Sequence, residues 1–279
     1  MKINKITVAM ALGIISIASL GCASSKNTAS EPVAATAPAA AADPEPSPAP
    51  VNEPEKPAIS KELQALRDSI QNQSQDIEEK AHVVIEANAP SAERIEALNV
   101  LSQRALNDKK YDEAQLYAKA SLDLDAQNYE TLMIMAGIAR AVEKNDEAVN
   151  WLTQAAQVSP DKTAPYVQKA AILLEFLDTE RALLVAGQAQ KLDPDACDVT
   201  IIYADALFAG LQFRDAIIQY EHADSLKCNL SEAALQNMAK LYEIHLQDAK
   251  NACQLYERLI KIAPDNPYYK ASRDYQCSL

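Results

Sequence analysis

Asp108-Lys109-Lys110-Tyr111-Asp112-Glu113-Ala114 ends on an alanine that returns at a fixed interval along the chain. Writing the sequence in rows of 34 from Ile95 sets Ala114, Ala148, Ala182 and Ala216 in one column, and Ala252 joins them after a step two residues longer. Seven residues on stand Ser121, Ala155, Ala189, Ala223 and Leu259, and ten on stand Leu124, Val158, Leu192, Leu226 and Ile262. Twelve on is a turn column of Pro160, Pro194 and Pro264, with Ala126 and Cys228 in the other rows. Twelve before the alanine the chain has Ser102, Ala136, Ala170 and Ala204, and three further on Ala105, Ala139, Leu173 and Leu207. Small residues suit places where two helices of a hairpin come close, and bulky ones fill the gap to the next hairpin. Proline cannot continue a helix and so ends each second one. A unit this short cannot bury its own apolar face, so the rows must stack.

With Ala189-Gln190-Lys191-Leu192-Asp193-Pro194, that opening heptapeptide resembles the tetratricopeptide repeat family over about Ile95 to Pro264, some 60% of the chain. The resemblance implies an all-α, right-handed superhelical solenoid of four to five helical hairpins over residues 91–279, with N- and C-terminal capping helices. Departures exist. The family's common glycine in the first helix is absent, and Lys169 stands where an apolar residue is usual. The fifth repeat keeps register only with one residue inserted between Tyr242 and Ala249, so that its first helix presents Leu235, Met238, Ala239 and Tyr242. Residues 266–276, with Tyr268, Tyr269 and Tyr275, read as the C-terminal cap.

Before the repeats, residues 60–90 read as one amphipathic helix from Lys61 to Glu86, with Ser60 as N-cap and Asn88-Ala89-Pro90 as its stop. Leu63, Leu66, Ile70, Ile77, Ala81 and Val84 form its stripe, interrupted at Ser74. The stripe is expected to cap the first repeat or to fold into the groove. The alternative is a homodimer contact.

Residues 1–21 carry Lys2 and Lys5, an apolar run from Ile6 to Leu20, and Leu20-Gly21 before Cys22. The run is shorter than the ~20 apolar residues a membrane-spanning helix needs. Its layout resembles a bacterial lipoprotein signal, although Ser19 stands where leucine is usual. The resemblance implies cleavage before Cys22, its lipidation, and an outer-membrane protein facing the periplasm, since no aspartate follows the cysteine. Residues 22–59 hold eight of the fourteen prolines and no aromatic residue. They are expected to form a disordered tether, with an extended limit near ~110 Å.

The formal charge is −13, no basic run exceeds Lys109-Lys110, and nucleic acid is excluded as an expected partner. Only five glycines occur, so no phosphate-cradling loop can be built. His82, His222 and His245 are scattered, and no metal, cofactor or catalytic residue is expected. Trp151 reads as a packing residue, with a binding hot spot as its alternative.

Placing the rows on the family's helices directs Asn99 and Gln103, then Met133, Gly137 and Arg140, then Val167, Ala171 and Leu174, then Ile201, Asp205 and Phe208 toward the concave surface. Its middle is apolar, which suits an amphipathic helix or an apolar peptide of a protein partner. The family implies a membrane-anchored interaction scaffold in envelope assembly. A structural tether, an adaptor for cell-wall enzymes and, least of all, an enzyme are the alternatives.

Four cysteines remain, in what would be an oxidising compartment. In the fourth repeat, Cys197 starts the first helix and Cys228 ends the second, and both places lie at one end of a hairpin. Cys253 lies in a column facing the next hairpin, and Cys277 lies where the following antiparallel helix ends. Disulfides Cys197–Cys228 and Cys253–Cys277 are therefore expected, against the alternative of four unrelated thiols.

Overall fold

A computed structural model describes residues 59–87 and 89–279. Cys22, the signal-like segment and nearly all of the tether lie outside the described residues. Among these there are thirteen α-helices and no strand. Five hairpins follow one another: α3 (Ser91–Asn107) with α4 (Tyr111–Leu124), α5 (Tyr129–Ala141) with α6 (Asn145–Val158), and α7 (Ala164–Glu175) with α8 (Thr179–Leu192) are the first three. Next come α9 (Cys197–Ala209) with α10 (Phe213–Ser225), and α11 (Glu232–Lys240) with α12 (Ala249–Ile262).

The alanine columns lie where helices touch. Ala148, Ala155, Ala182, Ala189, Ala216 and Ala223 are fully buried. Where serine replaces alanine, its hydroxyl finds an acceptor or a partner: Ser102 donates to the carbonyl of Ala114 at 2.8 Å, and Ser121 pairs with Thr131 at 2.8 Å. A buried hydroxyl without a partner would cost about 1–3 kcal/mol.

The turns inside the hairpins show a regularity that composition does not announce. Lys109, Glu143, Leu177 and Leu211 all have φ near +60°, spaced like the alanine column. Each first helix closes with the amide of the following residue bonded five residues back: Lys110 to Ala105, Lys144 to Ala139, Asp178 to Leu173 and Gln212 to Leu207, at 2.8 to 2.9 Å. This is the left-handed helix ending in which glycine is usual, here made four times without glycine.

The inserted residue of the fifth repeat is absorbed as a π-helical turn, Leu241–Leu246, continuing α11. The turn after it, at Gln247 (φ 53°), closes from Asp248 back to Tyr242, one residue wider than in the other hairpins. Leu235, Met238, Ala239 and Tyr242 are buried there. The last helix, α13 (Pro267–Gln276), is capped by Asn266 and buries Tyr269, whose hydroxyl donates to Glu232 at 2.8 Å.

The single helix expected over Lys61–Glu86 is instead two, α1 (Lys61–Gln71) and α2 (Ile77–Glu86). Gln73 takes φ 50°, Ser74 bonds to Asp76, and Asp76 stands at the N-terminus of α2, so the polar run Asn72–Asp76 turns the chain back. The break at Ser74 is thus a turn and not a flaw in a stripe. Leu63, Leu66, Ile77, Ala81 and Val84 pack on Ala97 and Leu101 of α3, while Ile70 is left at the surface. The hairpin covers the end of the stack and leaves the row of first helices open. The face offered as a dimer contact is covered by α3.

Candidate functional site: the row of first helices

First helices touch one another across hairpins, α3 with α5, α7 with α9, and α9 with α11, while each second helix touches the next first helix. Elements on the inside of a bend are the ones drawn together, so the first helices form the concave side. At Gly137 an added Cβ would stand 3.3 Å from Leu106, a measure of how closely α5 approaches α3.

Between α3 and α5 lies a cavity of about 760 Å³. Ile95, Val100, Met133 and Ile134 supply its apolar wall, and Asn99, Gln103 and Asn128 its polar groups. Asn128 caps α5 by accepting from the amide of Thr131 at 3.1 Å, and it also accepts from Asn99 at 3.2 Å and from the Thr131 hydroxyl at 2.8 Å. The Thr131 hydroxyl also lies 2.8 Å from the side-chain oxygen of Asn99, so the carboxamide oxygens of both asparagines are held inward. With both oxygens committed, the Asn128 amide nitrogen has no hydrogen bond among the described residues, and donors of this kind suit the carbonyl or carboxylate oxygens of a peptide. Tyr129, the first residue of α5, lies under the ammonium of Lys162 at 3.7 Å, and burial beside Glu130 and Asp161 pushes its phenol up from the ordinary value.

Of the residues placed on this surface by the repeat, Asn99, Gln103 and Met133 line the cavity. The others lie farther along the same row and are not gathered there. Arg140 forms an ion pair with Glu175, and Val167 and Ala171 are half-buried. Leu174 packs against the cluster of Ala170, Leu173 and Ala182, while Ile201 and Phe208 pack on the C-terminal core. The carboxylate of Asp205 is taken up by Tyr220; burial pushes it above the usual carboxylate range, while hydrogen bonds from Tyr220 and Asn237 pull it back. Asn128, Tyr129, Val100 and Ile134 were missed by the repeat columns. The helix-start signal of Asn128-Tyr129 would have found two of them.

His82 meets the edge of Tyr117, His222 contacts Asp195 at 2.9 Å, and His245 stacks on Phe213 at 3.9 Å. Trp151 is half-buried between two core clusters. Cys197 joins Cys228 and Cys253 joins Cys277, with Cα separations of 5.4 and 5.1 Å. Cys253, Glu257 and Cys277 are the one group of three possible metal donors among the described residues, and the disulfide consumes both thiols. No helix of the described residues is long and apolar enough to cross a membrane.

No protein-family model matches the chain, and no curated relative matches it in sequence. Among solved structures, pilF of Pseudomonas aeruginosa is similar in fold, with a TM-score of 0.66 at 16% identity over 78% of this chain and 96% of that one. YrrB, a tetratricopeptide protein with an unusual peptide-binding site, gives 0.56 at 16% identity over 70% and 97%. A tetratricopeptide repeat protein from Parabacteroides merdae gives 0.54 at 10% identity over 78% and 98%. The described residues form a right-handed superhelical solenoid of tetratricopeptide-type hairpins.

Proposed function

We propose that the chain is a protein-binding scaffold of the bacterial cell envelope, held at a membrane by lipid on Cys22, with the concave row of first helices receiving a helix or an extended peptide of its partner. The observation that carries the binding part is the open cavity between α3 and α5, walled by Ile95, Val100, Met133 and Ile134 beside the free donor of Asn128. Apolar surface with a few oriented polar groups is what peptide recognition needs. The peptide-binding site of YrrB, a protein of similar fold, supports the same reading. The anchoring part rests on the lipoprotein-like layout around Cys22 and on the tether that follows it.

Two variants separate the parts. Cys22→Ser is expected to abolish labelling by a fatty-acid probe and to release the protein from membranes; unchanged retention counts against the anchor. Met133→Lys places a charge on the apolar wall and is expected to remove the principal envelope partner from co-purification with helicity unchanged. Retention of that partner counts against the groove.

A further inference from the structure

A second surface, away from the concave row, lies along the edge formed by the turns inside the hairpins. Leu177 and Leu211 are 86% and 72% exposed there, beside Phe176 at 60%, and Ile244 of the π-helical turn is 62% exposed. Leu246 adds to the same edge. Four successive hairpin turns, from α5–α6 to α11–α12, thus present apolar side chains on one side of the stack, with Val142 as the first. Scattered exposed leucines need no explanation, but apolar side chains exposed at four successive hairpin turns do. Leu177 and Leu211 also occupy the left-handed region, where a bulky side chain is disfavoured and Gly or Asn is the local preference. Neither the helix ending nor the core asks for leucine at these two places.

The row is notched. One notch, about 300 Å³, sets Phe176 and Ile172 beside Glu143 and Asp146. A second, about 380 Å³, is floored by Leu241 and rimmed by Leu211, Phe213, His245 and Leu246, with Arg214 alongside. Most charge on this edge is acidic. Lys144 and Arg181 are tied to Glu147 and Asp178, whereas Glu143, Asp146, Glu180 and Asp215 have no ion-pair partner among the described residues, nor do the bases Arg214 and Lys250. First-turn acids suit the helix dipole, yet their field also faces whatever covers the leucines. An anionic membrane is repelled by such a field, and a basic partner is attracted.

We propose that this edge is a docking surface for an amphipathic helix of a partner protein, one that carries leucine-like side chains on one face and Lys or Arg along its flank. The apolar face fills the two notches, and the cations meet Glu143, Asp146, Glu180 and Asp215.

The probe is a fluorescein-labelled 18-residue Leu/Lys amphipathic peptide, titrated with the full chain and followed by anisotropy, with a Leu/Glu peptide of the same pattern as control. The Leu/Lys peptide is expected to bind and the Leu/Glu peptide to fail. Replacing Leu177→Asn and Leu211→Asn together is expected to weaken binding by about tenfold or more. Asparagine tolerates the left-handed backbone, so the melting temperature is expected to hold, which keeps a loss of binding distinct from a loss of fold. Neutralising Glu143→Gln with Asp146→Asn is expected to weaken binding and flatten its salt dependence. Absence of Leu/Lys binding, equal binding of the Leu/Glu peptide, or insensitivity to the leucine substitutions overturns the proposal. It is equally overturned by a wild-type dimer that the asparagine pair dissociates, which makes a second copy the occupant. Vesicle binding that the pair abolishes overturns it too, by making lipid the occupant.

Discussion

The hydroxyl of Tyr220, on α10, donates to the carboxylate of Asp205 on α9, and Asn237 of α11 donates to the same hydroxyl at 3.2 Å. Three helices of two hairpins are joined through one fully buried phenol. A residue that the repeat directs to the groove is thus spent on tying the fourth hairpin to the fifth. Tyr220→Phe removes one of the two donors to the inward carboxylate and is expected to destabilise the chain by about 1–3 kcal/mol, read by urea denaturation. An unchanged midpoint would mean that the network contributes nothing.

Asp205 also carries a pH signature. Its folded pKa is raised above the unfolded value, chiefly by burial. Its protonated form is therefore favoured in the folded state, and its contribution to stability is full below the unfolded pKa and lost as pH rises through the folded one. Compared with wild type, Asp205→Asn is expected to flatten the stability profile on the acid side, above pH ~4. Identical profiles from pH 4 to 7 would refute the assignment.

Lys169, on α7, departs from the apolar habit of its column and donates to the Thr153 hydroxyl of α6 at 2.8 Å. Burial, then the charge of Arg181, lowers its pKa. The unfolded chain consequently holds that proton more tightly, and stability rises with pH between the lowered value and the ordinary 10.5. Lys169→Met is expected to stabilise the chain by about 0.5–1 kcal/mol at neutral pH, an allowance for a side chain that keeps some contact with solvent. It is also expected to remove that alkaline rise. Destabilisation by the substitution would show that the bond to Thr153 outweighs desolvation.

The left-handed turn residues give a test of the repeat geometry. Glu143→Gly relieves the crowding that a Cβ suffers at φ 61° and is expected to stabilise by about 0.5–1 kcal/mol. Glu143→Val, branched at that same atom, is expected to destabilise. The reverse order would mean that the hairpin turns differently.

The two disulfides close loops with sequence separations of 31 and 24 and brace the hairpins whose turn column has cysteine at 228 in place of proline. Each is expected to contribute about 3.5 kcal/mol in the chain-entropy account. Peptide mapping without reduction should recover Cys197 with Cys228 and Cys253 with Cys277. Free thiols, or Cys197 linked to Cys253, would contradict the pairing.

Much of the fold was legible because a 34-residue period repeats the same packing decision, so one alanine column locates every hairpin. The insertion before Ala249 was legible as a count but not as a π-helical turn, since the backbone has several ways to absorb one residue. The reversal at Gln73 was hidden because neither glycine nor proline marks it. The site was legible only by row. Which members of a row share a cavity depends on how far successive hairpins rotate, and that rotation gathers Asn99, Gln103 and Met133 while leaving Leu174 and Phe208 against core clusters. Asn128 belongs to the cavity through its role as a helix cap, which no repeat column encodes.

The groove reading is tested most directly by placing a photo-crosslinking amino acid at the exposed Gln103, on the concave side, and at the exposed Asn150, on a second helix. Irradiation of intact cells is expected to give one dominant protein adduct from position 103 and none from position 150, and Met133→Lys is expected to erase the adduct. Equal adducts from both positions, or none from position 103, would contradict the claim that the concave row holds the partner.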